Sequence, residues 1–196
     1  MNVKSQIDNL TYRENDSVCS VLSFPGYFLK PECQKIARHR KKLPKMDGTA
    51  GKNGVVNADR RDSKVRWLAP GPETDWIFEK IYKLVMEVNQ RYKFQLTGFR
   101  ERFQLASYTG KGHFDWHSDL GRGETSTRKM SLSVQLSDPA TYEGGGLEFF
   151  GQDKLILPRA VGTVIVFPSF LIHRVTPVMR GTRLSLVAWV HGAAFS

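Results

Sequence analysis

Hydrophobic and polar positions divide the chain into a helical first half and a strand-rich second half. Over residues 73–91, Ile77, Ile81, Leu84, Val85 and Val88 recur at steps of three and four and form one apolar stripe, the mark of an amphipathic helix packed on a sheet. A shorter helix is expected from Pro31-Glu32 through His39, because proline is tolerated in a first helical turn. Before it, Val18–Phe24 alternates as a strand that Pro25-Gly26 stops. From Arg100 onward the period shortens to two. Phe103, Leu105 and Ser107 open this region, followed by runs over 129–137, 146–150, 154–157, 162–168, 172–177 and 183–191. These runs are short, β-branched or aromatic, and bounded by Gly, Pro or Asp. Many short strands after a helical half predict a mainly β, α+β fold, a sandwich or jelly roll buttressed by helices. The organisation expected is an N-terminal arm over 1–17 and a single domain over 18–196. Within that domain, helical support spans 30–95 and the jelly-roll core spans 97–192. Residues 44–63 are rich in Gly, Asn, Asp and Lys and lack periodicity, so a long loop is expected there.

Composition narrows the class. A chain of 196 residues, 40% hydrophobic and 11% aromatic, is large enough for one well-filled core. No run is long and apolar enough to span a membrane. The polar N-terminus lacks the apolar stretch of a secretory signal. Cys19 and Cys33 are too few for a disulfide framework or a cysteine-rich zinc site. Together these point to a cytoplasmic protein with reduced thiols.

The formal charge of +10 is uneven. Between Lys30 and Arg66, twelve Lys and Arg face four Asp and Glu, and Arg38-His39-Arg40-Lys41-Lys42 is the densest part. A basic patch of this kind could hold nucleic acid. A solvated helix end is the more frequent meaning of such a run and is the reading favoured.

The candidate chemistry lies among five histidines. In the segment His113-Phe-Asp-Trp-His-Ser-Asp119, side chains two apart on an extended chain share a face, so His117 and Asp119 can grip one ion. His173, on a separate strand, can supply a third ligand. Two imidazoles and one carboxylate suit a non-haem ferrous centre with open positions, although zinc also accepts this set. Ten residues beyond His173, Arg183-Leu-Ser185 places a cation and a hydroxyl on one strand face, a clamp for a distal carboxylate. That clamp favours iron with an oxo-acid. His113-Phe-Asp115 is a rival His-x-Asp of the same strand parity, and parity alone does not exclude it. Trp116, Trp189 and Phe170 are expected in the core. Gly144-Gly145-Gly146 reads as a hairpin or bulge, because no helix pattern follows it.

Four stretches carry a resemblance. They are Tyr108–Asp119, Leu136–Leu147, Pro168–Val178 and Arg180–Ser185, with Phe24–Cys33 as a fifth. In these the chain resembles the iron(II)- and 2-oxoglutarate-dependent dioxygenases of the prolyl 4-hydroxylase-like group, and the PKHD-type hydroxylases in particular. The resemblance implies a double-stranded β-helix, that is, a distorted jelly roll. It implies Fe(2+), 2-oxoglutarate and O2, with ascorbate as a candidate auxiliary. It makes His117, Asp119 and His173 the iron ligands and Arg183 the partner of the cosubstrate's distal carboxylate. Tyr108, Ser185 and Gln135 are implied to line the same pocket. Spacing from Tyr108 favours His117 and Asp119 over the rival pair, leaving His113, Asp115 and Arg122 for the substrate side. The reaction implied is hydroxylation of a C–H bond with release of succinate and CO2. A protein, peptide or small-molecule substrate is expected, with a nucleic-acid-directed oxygenase and a non-catalytic sensor as alternatives. Gly146 departs from the family, which often has an acidic residue after the paired glycines.

Overall fold

A computed structural model describes residues 15–50, 55–152 and 155–194. Most of the expected arm, residues 1–14, lies outside the described residues. Among the described residues, two α-helices, thirteen strands and four short 3-10 turns organise the chain.

Helix α1 spans Lys30–Arg38 and α2 spans Asp75–Tyr92. All five stripe residues of α2 are buried. The first turn of α1 is closed by Glu32, whose carboxylate accepts the Leu29 N–H at 2.6 Å, satisfying a donor that helix geometry leaves free.

The strands are β1 (Leu22–Phe24), β2 (Met46–Asp47), β3 (Arg61–Asp62), β4 (Lys64–Leu68), β5 (Leu96–Gly98), β6 (Phe103–Thr109), β7 (His113–His117), β8 (Arg128–Gln135), β9 (Tyr142–Gly144), β10 (Leu147–Phe149), β11 (Val164–Pro168), β12 (His173–Val175) and β13 (Val178–Gly192). A nine-stranded sheet runs β1-β11-β8-β13-β6-β4-β2, with β5 and β9 also paired to β13. A four-stranded sheet runs β10-β12-β7-β3. The strand pairs in both are antiparallel. Two antiparallel sheets, with helices on the outer face of the larger one, are the jelly roll expected from the strand pattern.

The period of two along the strands of the large sheet sorts its side chains between two environments. Leu184, Leu186, Ala188 and Val190 of β13 join Met130, Leu132 and Val134 of β8 against the helices. The alternate positions, Arg183, Ser185 and Trp189 on β13 and Ser133 on β8, line a cavity on the other face. Leu186→Ala, at a fully buried position of the helix-facing core, is expected to cost about 2–5 kcal/mol. Denaturant unfolding measures the loss.

Three expectations need correction. The segment 44–63 is not simply a loop. It contributes β2, β3 and an isolated bridge between Ala50 and Val55, and β4 follows directly. Its strands are too short for periodicity to reveal. Leu155–Leu157 forms no strand, and Lys154 lies outside the described residues. Leu155 and Ile156 are exposed, so no packing surface holds them in a sheet. Trp189 is buried but stands in the cavity wall, and Trp116 is half-exposed between Arg174 and Phe150.

Candidate metal centre

The two sheets enclose a cavity of about 620 Å³. At one place in its wall, ligand atoms of His117, Asp119 and His173 all lie within 4.8 Å of one another. His117 ends β7 and His173 begins β12, and the two are direct partners across the strand pair. Asp119 follows β7 by two residues. Its carboxylate stands between the imidazoles, 3.7 Å from His117 Nε2 and 3.6 Å from His173 Nε2.

Each group is held in place by the chain around it. The Ser118 hydroxyl and the Leu120 N–H both donate to the Ser169 carbonyl, at 3.0 and 2.8 Å. Arg128 donates to the Asp119 carbonyl at 3.3 Å. These bonds fasten the segment carrying Asp119 to the end of β11 and the start of β8. The Ser131 hydroxyl donates to Asp119 Oδ2 at 2.7 Å and also pairs with Ser169 Oγ. His117 Nδ1 lies 2.7 Å from the Asp115 carbonyl, and His173 Nδ1 lies 2.9 Å from the Leu171 carbonyl. A carbonyl only accepts, so each Nδ1 carries the proton and each Nε2 presents a lone pair. Phe114 stacks on the His117 ring at 3.4 Å, and Phe149 and Phe167 flank His173.

The electrostatics suit a cation. Burial, aided by the neighbouring His173, lowers His117 to about 4. Burial alone would raise Asp119. The imidazoles, Arg128 and the Ser131 hydrogen bond together outweigh it and hold the carboxyl at about 2. At neutral pH the site therefore offers a neutral His117 and an ionised Asp119, the states a metal ion requires.

The rival pair does not join this cluster, and a β-bulge is the reason. Against β12, Val175 pairs with Phe114 while His173 pairs with His117, so β7 carries one extra residue in between. A bulge reverses the alternation of faces. Phe114, rather than His113 or Asp115, shares the cavity side with His117. Both His113 ring nitrogens meet backbone carbonyls, of Lys111 and Asp59. Asp115 faces Arg60 at 3.5 Å. Neither lines the cavity, which corrects their expected place on the substrate side. Of the other histidines, His191 is tied to Thr127 and Glu101.

Across the same cavity lies Arg183, 2% exposed. Its guanidinium donates to Ser185 Oγ at 3.3 Å and Gln135 Oε1 at 3.2 Å, and it lies 5.6 Å from the Tyr108 ring. Burial lowers its pKa. Among the described residues no carboxylate pairs with it. A buried cation held only by neutral groups is costly, and an incoming carboxylate offsets that cost. The glycine run explains how it fits. A Cβ on Gly145 would stand 2.9 Å from Arg183 Cδ, and one on Gly144 would stand 2.1 Å from the Pro177 carbonyl, both at positive φ. The four residues expected around the clamp (Tyr108, Gln135, Arg183 and Ser185) are brought together. Arg122 lies on the rim, exposed.

Several wall residues escaped the sequence reading. Ser133 of the wall, and Ser131 bonded to Asp119, alternate with Met130, Leu132 and Val134, so the period of β8 carries their signal. Gln104 alternates with Phe103 and Leu105 on β6 and carries the same kind of signal, whereas Arg61 and Trp67 lie on strands the pattern does not mark. Part of the basic stretch 30–66 is engaged as well: Lys42 pairs with Glu73, Lys64 with Asp47 and Arg60 with Asp115, while Arg61 lines the cavity.

Comparison with known proteins agrees with this geometry. Residues 103–191 match the model of the 2OG-Fe(II) oxygenase superfamily. A PKHD-type hydroxylase of Pseudomonas fluorescens is 28% identical over 182 residues, which is 86% of this chain and 77% of that protein. One from Hyphomonas neptunium is 36% identical over 97 residues, 45% of this chain and 42% of that protein. Among solved structures, a Pseudomonas putida prolyl-4-hydroxylase superposes with a TM-score of 0.71 at 22% identity, covering 89% of this chain and 94% of its own. A Trichoplax adhaerens prolyl hydroxylase in complex with a hypoxia inducible factor peptide fragment also superposes at 0.71, with 18% identity, covering 90% and 84%.

Proposed function

Because this chain belongs to the 2OG-Fe(II) oxygenase superfamily and is a PKHD-like 2-oxoglutarate-dependent dioxygenase, we propose that His117, Asp119 and His173 hold its ferrous ion and that the enzyme hydroxylates a C–H bond of a protein or peptide. One observation carries the ligand assignment: three converging ligand atoms and a buried arginine without a carboxylate share one cavity. When bound, Fe(II) and 2-oxoglutarate supply the oxidising power that adds one oxygen atom of O2 to substrate, the cosubstrate leaving as succinate and CO2.

The chain's own contribution is binding and shielding. The two Nε2 lone pairs and the Asp119 carboxylate would hold the ion, and so few protein ligands would leave room on it for cosubstrate and O2. Arg183 would receive the distal carboxylate of 2-oxoglutarate, whose two oxygens suit its planar fork. Ser185 and Gln135 hold the guanidinium in place, and Tyr108 closes the pocket beside it. The apolar wall formed by Val175, Phe167 and Leu147 keeps bulk water from the centre. The peptide reading is supported by the likeness to prolyl hydroxylases. Among the described residues no helix is long and apolar enough to cross a membrane.

Ser131→Ala should lower ferrous-ion affinity about 10–100-fold, the usual cost of losing an outer partner of a ligand. Fe(II) titration under anaerobic conditions measures it. To test the reaction, the anaerobic iron-loaded protein is mixed with 2-oxoglutarate and candidate peptides, free amino acids and oligonucleotides, and O2 is admitted. A peptide gaining the mass of one oxygen, with succinate released in equal amount, is the expected result. Oxygen gain confined to oligonucleotides would overturn the peptide reading.

A further inference from the structure

We propose that the substrate carries a carboxylate and that Arg61 is the residue that binds it, an inference that rests on the dioxygenase reading above. The cavity wall holds five arginines, Arg60, Arg61, Arg122, Arg128 and Arg183, but only one carboxylate, Asp119, and no lysine or glutamate. Three of these cations have assigned roles. Arg60 pairs with Asp115, Arg128 with Glu101, and Arg183 faces the cosubstrate. Arg122 is exposed on the rim. Arg61 is the one that is buried, 8% exposed, without an acidic partner among the described residues.

Its surroundings are polar but neutral. Nε donates to Ser63 Oγ at 2.8 Å, Nη1 to the Thr49 carbonyl at 3.2 Å, and Nη2 to Gln104 Oε1 at 2.6 Å. Three of the five guanidinium N–H donors are thereby used. The two that remain, one on each Nη, match the two oxygens of one carboxylate. The guanidinium carbon lies 4.5 Å from the centre of the Phe114 ring, whose face is stacked on His117. A group bound at Arg61 is therefore one aromatic ring away from the metal centre. Holding a full charge in a low-dielectric wall against neutral acceptors alone is unfavourable. A structural strut in that position would be better served by an apolar residue or an ion pair. Arg183 shows the same arrangement where the cosubstrate's carboxylate is received, so the cavity holds two such receptors and one cosubstrate.

The test uses the anaerobic Fe(II) complex with saturating 2-oxoglutarate, so that Arg183 is already occupied. Binding of matched acids and amides is measured calorimetrically at constant ionic strength: N-acetylproline against N-acetylprolinamide, N-acetylglutamate against N-acetylglutamine, and hexanoate against hexanamide. At least one acid should bind about ten- to a hundredfold more tightly than its amide, the scale of a charge-assisted contact. Arg61→Gln should abolish that preference, and Arg61→Lys should restore part of it. Gln104→Glu keeps the arginine but supplies an internal carboxylate, and it should abolish the preference as well. A merely structural arginine would tolerate that change. Failure of all three acids to outbind their amides, or a preference that survives both Arg61→Gln and Gln104→Glu, would overturn the proposal. Fe(II) and 2-oxoglutarate affinities are measured in parallel. Their absence in the wild-type protein would sink the dioxygenase reading itself, whereas their presence without any acid preference sinks only this inference.

Discussion

Asp119→Ala is expected to eliminate ferrous-ion binding and 2-oxoglutarate turnover, while Asp115→Ala leaves both intact. The two carboxylates are four residues apart and look equivalent on paper, but their surroundings differ. Asp119 stands 3.7 and 3.6 Å from the two Nε2 atoms and is the one acidic member of the cluster. Its removal leaves only the two imidazoles, and the anionic charge that offsets the ion is lost. The loss should therefore exceed the roughly 10–100-fold typical of an outer partner. Asp115 binds its own strand's Trp116 N–H and faces Arg60, partly exposed. Metal-dependent thermal shift separates the cases, because an ion that binds only the folded state raises the midpoint. Fe(II) should stabilise the wild type and Asp115→Ala and leave Asp119→Ala unmoved. A shift retained in Asp119→Ala and lost in Asp115→Ala would transfer the site to the rival pair.

Arg183→Ala should weaken 2-oxoglutarate binding by about 1.5–3 kcal/mol, the scale of a hydrogen bond to a charged group, with iron affinity retained. The guanidinium is buried with neutral partners, so an incoming carboxylate meets a donor that needs no reorganisation. Lysine should not rescue it fully, since a point charge cannot reproduce the planar fork. Direct titration of 2-oxoglutarate into the iron-loaded variants measures the change. Cosubstrate affinity unchanged from wild type would remove Arg183 from the pocket.

The corrections share a cause. The α2 stripe and the alternation on β8 and β13 were legible because burial of one face imposes a period on the sequence. β2 and β3 were not. A two-residue strand is too short to show a period, and it exists only because a neighbour pairs with it. Strand parity cannot separate the rival His-x-Asp from His117 and Asp119, because parity assumes an unbroken pleat. The extra residue in β7 breaks that pleat between Phe114 and His117, and nothing in the local sequence marks the break.

The amino-acid sequence alone carried the sandwich-or-jelly-roll class, the helical layer, His173 with two rival His-x-Asp pairs, and the Arg183-x-Ser185 face. These follow from periodicity and from residue types whose chemistry is local. Tertiary structure decided which His-x-Asp faces inward, that Ser131 and Ser169 support Asp119, and that Arg61 enters the cavity without an acid beside it. Each of these depends on long-range pairing between strands, where register and bulges set which side chains meet. A bond such as that between Arg61 and Gln104, 43 residues apart, has no signature in either local segment.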